Sequence, residues 1–153
     1  MLKDWNKVEQ PTAEEVDKRL ANAKNSLLQQ QIAMKEKKLP VIVLLEGWGA
    51  AGKGSVLGKL IKNIDPRFFK VAVMDEPTEE EKRKPFLYRH FVKIPEAGKF
   101  VFMDSGWMSE VTKQKLSGEL SDEDYKKRVE SIKRFERQLT DNGYLLLKFF
   151  FNI

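Results

Sequence analysis

The residues Gly47-Trp48-Gly49-Ala50-Ala51-Gly52-Lys53-Gly54-Ser55 follow directly on the apolar run Val41–Leu45. A buried strand that breaks into a glycine-rich turn and then into a helix gathers backbone N–H groups around one point. The helix N-terminus and a lysine add positive charge there. The ligand that suits such a turn is a chain of phosphates. Gly47, Gly49, Ala50, Ala51, Gly52, Lys53, Gly54 and Ser55 are therefore the expected cradle, with the Lys53 ammonium neutralising phosphate oxygens. The spacing meets the pattern G-x-x-x-x-G-K-[ST] at Gly47, Gly52 and Lys53, but Gly54 stands where a magnesium-ligating hydroxyl belongs. Ser55 comes one position late, roughly 100° further round a helix of 3.6 residues per turn, and substitutes poorly.

The metal side of a phosphate loop is a carboxylate at the end of a neighbouring strand. Phe100-Val101-Phe102-Met103-Asp104 has that form, which makes Asp104 the expected Mg²⁺ ligand; the alternative is that Asp104 caps the helix that follows. Arg89, in Pro85–Phe91, is by spacing alone either a phosphate ligand or a surface charge. His90 beside it is expected at the surface or a boundary, and Phe86, Leu87 and Phe91 in the core. Thr78–Lys84 reads as an exposed capped turn. Lys59 and Lys62 read as surface lysines or as a positive track for a long phosphate chain.

The elements that must position these groups follow from periodicity and punctuation. Strands are expected at Val41–Leu45, Lys70–Met74, Lys99–Met103 and Tyr144–Phe151, separated by a helix after Lys53 and a helical piece around Phe86–Val92. Asp65-Pro66 and Ile94-Pro95 mark connections. A long helix is expected from Thr12, where Thr12 and Glu15 have capping-box spacing and Val16, Leu20, Ala23 and Leu27 recur at helical intervals. It reads as a cover for the core, the alternative being a brace or contact surface outside the phosphate-binding core. A second long helix begins at Ser121, carries Tyr125, Val129, Ile132, Phe135 and Leu139 on one face, and stops at Asn142-Gly143. Alternating strands and helices mean an α/β fold with a parallel sheet, its phosphate turn at the strands' carboxyl ends.

Composition narrows the class. Lys+Arg of 28 against Asp+Glu of 23 leave a net charge of +5, which suits a polyanion yet is too small and dispersed to argue for nucleic acid. The absence of cysteine excludes disulfides and thiolate chemistry, and the single histidine argues against a zinc site. No apolar run reaches the ~20 residues of a membrane span. Met1–Asn6 lacks the apolar core of a signal peptide, so the expected setting is the cytoplasm. Tyr144–Phe151 is nearly all apolar, and both faces of such a strand want cover. The expectation is therefore a piece of a longer protein, truncated at the C-terminus.

These residues together resemble the polyphosphate kinase 2 family. The resemblance runs from about Leu39 to Ile153 and weakly through the preceding helix. It rests on Glu46-Gly47 with Ala50-Ala51-Gly52-Lys53-Gly54, where the family itself uses Gly54, and on Glu76-Pro77-Thr78-Glu79-Glu80 and Phe86-Leu87-Tyr88-Arg89. Phe102-Met103-Asp104 with Trp107, Phe135-Glu136-Arg137-Gln138-Leu139, Gly143 and Leu146-Leu147-Lys148-Phe149 complete it. The resemblance implies a thymidylate-kinase-like P-loop fold, a three-layer αβα with a mostly parallel sheet. It divides the chain into a helical extension, 1–38, and a phosphotransferase domain, 39–153, whose lid and closing helices are absent. It also implies transfer of phosphoryl groups between inorganic polyphosphate and adenine or other nucleotides with Mg²⁺, Lys53, Arg89 and Asp104 being the catalytic residues. Nucleic acid and membrane are not expected partners, and a homo-oligomer or a second fused domain is.

Two departures bear on activity. Gly49 stands where the family usually carries an aspartate. Ser105, Gly106 and Met108 surround the retained Asp104 and Trp107, where the family motif reads Asp-Arg-Ser-Trp-Tyr. Each lost charge removes a contact of the kind worth about 10²–10³ in rate, so weak or absent turnover is expected. The pattern resembles the amino-terminal half of two-domain members, the polyphosphate:AMP phosphotransferases. Glu46 and Asp75 are the nearby carboxylates that could replace the missing one. The competing readings are a non-catalytic scaffolding half of a two-domain enzyme and an ATP-dependent nucleoside or small-molecule kinase.

Overall fold

Four runs of apolar residues build the sheet: Val41–Gly47 (β1), Phe69–Val73 (β2), Phe100–Asp104 (β3) and Leu145–Phe151 (β4). In the computed structural model, which describes residues 11–152, all strand pairs are parallel and the order is β2-β3-β1-β4. β1 and β3 are inside the sheet. Their side chains Val41 to Glu46 and Phe100 to Met103 are buried on both faces, as uninterrupted apolar composition requires of a central parallel strand. The sequence reading of Met1–Asn6 lies outside the described residues.

The helices are Ala13–Glu36 (α1), Lys53–Ile61 (α2), Glu79–Lys82 (α3), Tyr88–Phe91 (α4), Trp107–Leu116 (α5) and Asp122–Asp141 (α6). They form a layer on each face. On one face Ile42, Leu44, Val101 and Met103 meet Trp107, Val111, Ile132, Phe135 and Leu139 of α5 and α6. On the other, Val41, Val43, Leu45, Phe100 and Phe102 meet Leu57 of α2, Ile64 and Met34 of α1. This is the expected αβα sandwich. Strand boundaries fall within one residue of those read from the sequence, except that β1 runs two residues further, to Gly47. α6 is capped by Ser121, whose side chain accepts from the Asp124 N–H.

Three expectations change. α1 forms with the anticipated Thr12–Glu15 capping box, but it does not cover the core along its length: every residue from Pro11 to Ser26 is exposed, and only Leu27, Gln31, Ala33 and Met34 dock. Its apolar line outruns the domain surface. Phe91 is exposed rather than core, because α4 is a single turn and directs Arg89 and His90 inward instead. Among the described residues β4 pairs only with β1, so it is an edge strand of this sheet, with Phe149 and Phe150 at 50% and 61% exposure. Leu146 and Phe151 are the members of β4 that reach the two cores.

Candidate functional site

The loop after β1 is bent by three residues with positive φ: Gly47 at 128°, Ala50 at 60° and Gly52 at 82°. Only Gly47 and Gly52 escape the Cβ penalty of that region; Ala50 bears it, a small strain of the kind found at ligand-binding turns. Gly47 also permits a close approach, since a Cβ there would sit 2.2 Å from the Phe151 carbonyl oxygen. The Trp48 N–H donates to that oxygen at 3.3 Å, and the indole N–H donates to Asn152 Oδ1 at 3.1 Å. The loop is thus stapled to the end of β4.

α2 begins at Lys53 after Gly52, with no side-chain cap. The first intrahelical bond runs from the Val56 N–H to the Gly52 carbonyl. The amides of Lys53, Gly54 and Ser55 are therefore the orphan donors of a helix N-terminus, where the partial positive charge of the helix accumulates. The Lys53 ammonium folds back to donate to the carbonyls of Trp48 at 2.8 Å and Gly47 at 3.3 Å. A ligand anion would compete for that ammonium with two neutral acceptors, and it adds the attraction between opposite charges that the carbonyls lack.

Asp104 ends β3, next to β1, with its Cα in register with Leu45. It opens with Gly47, Gly49 to Ser55, Ser105 and Lys113 onto one cleft of about 530 Å³. The cleft lies at the carboxyl ends of the central strands, where α/β sheets take ligands. Asp104 does not cap α5; the N-cap is Gly106, which has no side chain to offer. That duty falls to Glu46 from β1, which accepts from the Ser109 N–H at 3.1 Å and from the Ser109 hydroxyl. Glu46 is buried; its Oε2 is engaged by the start of α5, while Oε1 is left without a partner among the described residues.

Arg89 lies elsewhere. It is buried and donates to the Asp75 carbonyl. Glu110 is 3.7 Å and Glu81 3.9 Å from its guanidinium. The surface-charge reading is excluded by this burial. Arg89 lines an adjoining cleft of about 480 Å³ with Asp75, Glu76, Lys82 and Glu110, which shares Ser105 and Lys113 with the loop cleft. Glu81 is held below the ordinary carboxylate range, first by the Thr78 backbone N–H and then by the Arg89 charge. His90 is fully buried, contrary to the boundary expectation. Its Nε2 meets Glu110 at 3.1 Å and its ring sits edge-on to Trp107. Trp107 in turn donates to Glu136, which also accepts from Lys148.

The described residues contain no group of three or more His, Cys, Asp or Glu poised for a metal. Magnesium does not need one: it is held through one or two carboxylates together with substrate phosphates and water. Asp104 lies on the same cleft as the glycine-rich loop and is one such carboxylate. Gly49 offers no second carboxylate, although a Cβ there would meet nothing within 4 Å.

Lys59 on α2 and Lys62 at its C-cap are exposed and line neither cleft. Lys113, which the sequence reading missed, borders both. Its signal was its position on α5: Glu110, Lys113 and Gln114 are three or four residues apart and so share a face.

Residues 10–153 match the model of the family described as Polyphosphate kinase 2. Among curated proteins, the chain is 33% identical over 117 residues to the polyphosphate:AMP phosphotransferase of Pseudomonas syringae pv. tomato, covering 76% of this chain and 24% of that one. It is 29% identical over 136 residues to ADP-polyphosphate phosphotransferase 3 of Rhizobium meliloti, covering 89% and 48%. The chain thus spans from a quarter to a half of the length of these relatives. Its fold superposes on the crystal structure of polyphosphate kinase 2 from Arthrobacter aurescens with a TM-score of 0.89 at 23% identity, covering 94% of this chain and 53% of that one.

Proposed function

The chain belongs to the polyphosphate kinase 2 family, and we propose that it is the phosphate-loop domain of a polyphosphate-dependent nucleotide phosphotransferase. It would move a phosphoryl group between inorganic polyphosphate and a nucleoside mono- or diphosphate. The observation that carries this reading is that the uncapped start of α2, Lys53 and Asp104 open onto one cleft. The relatives' names supply the substrate class.

In this reading the amides from Gly49 to Ser55 orient the phosphates, and the Lys53 ammonium leaves the loop carbonyls to neutralise phosphate oxygens. Arg89 is the second cation, acting from the adjoining cleft. Asp104 holds or orients Mg²⁺, which when bound screens the charge of the phosphate oxygens. Phosphoryl transfer passes through a loose, metaphosphate-like state, so positioned charge is what this chain must supply rather than a covalent nucleophile. Residues 39–153 form the phosphotransferase unit and α1 an extension of it. We place the protein in the cytoplasm, working with a second fused copy of the fold or a second subunit.

Gly49 and Ser105 supply neither the carboxylate nor the guanidinium of the family pattern, and Arg89 is engaged by Glu81 and Glu110. These observations favour weak turnover by this copy, and with it the second reading of a phosphate-binding half that supports an active one. The test has two arms. Pyrophosphate binding measured by calorimetry is expected for the wild type and lost in Lys53→Ala. Transfer from polyphosphate to AMP or ADP with Mg²⁺ is expected to be slow. Absence of pyrophosphate binding would overturn the phosphate-loop reading. Turnover in the usual enzymatic range, abolished by Lys53→Ala, would overturn the scaffolding reading.

A further inference from the structure

Ser105 is held in a backbone conformation that side chains avoid. Among the described residues it is one of three outside glycine with positive φ, at 67°, beside Lys38 at 52° and Ala50 at 60°. Lys38 closes the turn after α1 and Ala50 bends the phosphate loop, whereas Ser105 stands between β3 and α5. Strain of this kind persists where the surrounding structure imposes it, and it gathers at working sites. The Ser105 N–H donates to the Leu45 carbonyl at 3.1 Å, which ties the residue to β1 just before the loop. A serine on a strained strand-to-helix turn, at the carboxyl edge of an α/β sheet, is the geometry that lifts a nucleophilic hydroxyl into a cleft.

The surroundings suit a phosphoryl acceptor. Ser105 lines the loop cleft with Lys53 and the adjoining cleft with Arg89, and Lys113 borders both. Lys113 makes no ion pair among the described residues. Ser109, Ser117, Ser121 and Ser131 use their hydroxyls in hydrogen bonds, but the half-buried Ser105 hydroxyl has none among the described residues. The next residue, Gly106, is the N-cap of α5 and has no side chain to offer. Glu46 takes the Ser109 amide, which leaves those of Trp107 and Met108 as orphan donors of a helix N-terminus. An anionic group on Ser105 would sit at that positive end, with the Lys113 ammonium on the same cleft. Donor cradle, acceptor hydroxyl and a seat for the product thus adjoin.

We infer that Ser105 is a self-phosphorylation site: its hydroxyl takes the terminal phosphoryl group of an inorganic polyphosphate chain bound in the loop of the same molecule. The inference rests on the phosphate-loop reading of Gly47–Ser55. The Ser105 oxygen forms the new bond to the terminal phosphorus. The bridging P–O bond breaks, its electron pair leaving with a chain one phosphate shorter. The hydroxyl proton passes to water, since a loose transition state asks little of a base.

The full chain is incubated with long-chain polyphosphate and Mg²⁺ and read by intact and peptide mass spectrometry. It is expected to gain a phosphoryl group on Ser105, at a rate unchanged when the protein is diluted. Ser105→Gly, which removes the hydroxyl and suits the positive φ, is expected to gain none, and a melting temperature at or above that of the wild type shows that it folds. Lys53→Ala is expected to gain none either. Pyrophosphate binding by the unlabelled wild type separates this inference from the reading beneath it. Binding without label overturns the inference alone; neither binding nor label overturns both. Label on Ser55 or another residue in place of Ser105, label that survives Lys53→Ala, or labelling that slows on dilution would each overturn the inference as well.

Discussion

Two glycines of the phosphate loop are expected to respond oppositely to alanine. At Gly47 the backbone φ is 128°, and an added Cβ would lie 2.2 Å from the Phe151 oxygen, 2.8 Å from its nitrogen and 2.9 Å from its carbonyl carbon. These are main-chain atoms of a paired strand, so relief requires pulling β4 from β1 and losing the Trp48–Phe151 hydrogen bond. Strain in a sparsely populated φ region costs about 1–3 kcal/mol. Overpacking a site that cannot yield costs about 1–3 kcal/mol more. Gly47→Ala is therefore expected to destabilise by about 2–6 kcal/mol, a large share of the 5–15 kcal/mol typical of a domain. For a chain of this size that lowers the Tm by roughly 5–20 °C. Gly54, in the first turn of α2, has open space around its Cβ position and no positive φ. Gly54→Ala is expected to leave stability unchanged or raise it by about 0.4–1 kcal/mol through the unfolded chain. Thermal melts followed by circular dichroism, with amide exchange read at Phe149–Phe151, decide the matter. A Gly47→Ala protein that melts with the wild type, or loses stability without faster exchange in β4, would refute the close-approach argument.

Other outcomes follow from single contacts. Gly49→Asp meets no steric obstacle and is expected to fold normally; if the missing carboxylate limits turnover, phosphoryl transfer from polyphosphate with Mg²⁺ rises by about 10²–10³, and an unchanged rate argues for scaffolding. Glu46→Ala strips the Ser109 amide of its acceptor and is expected to cost about 1–3 kcal/mol in urea titrations. Gly106→Ser alone places a Cβ 2.6 Å from Glu46 Oε1 and also destabilises. Combined with Glu46→Ala, the same change puts a serine hydroxyl at the N-cap of α5 and recovers much of the loss; additive losses would discount the capping role. Asp65 is held at about 2 by the Arg67 side chain, against 3.8 unfolded. Its folded pKa is depressed, so its contribution is full above the unfolded value and is lost as pH falls through about 2. Asp65→Asn should accordingly lower the melting temperature near neutral pH and make no difference below about pH 2.

The local geometry of the candidate site was legible because it depends on neighbours in the chain. Val41–Leu45 could only be an internal strand, and Gly47, Gly52 and Lys53 lie within one turn and the start of one helix. Their spacing carries the geometry. Asp104 was legible for the same reason, as the polar end of an apolar strand. The helix boundaries at Thr12 and Ser121 are written in caps that reach three residues ahead. What failed was orientation across elements. Phe91 and His90 are adjacent, and no pattern in a four-residue helix says which one faces in; the decision is made by Glu110 and Trp107, which come from another helix.

Sequence alone therefore settled that this is a parallel α/β protein with a glycine-rich turn between its first strand and the next helix, because propensity, periodicity and turn chemistry act over a few residues. Only the tertiary structure decided how Glu46, Arg89 and Lys113 are used. Glu46 and Ser109 are sixty-three positions apart, and Arg89 and Glu110, on different helices, come within 3.7 Å only in the folded chain. Charge partners at such separations are chosen by the packing of whole elements, which leaves no local trace. The same holds for Gly47: its place in the motif suggests a ligand, and the strand packed against it shows that it first makes room for Phe151.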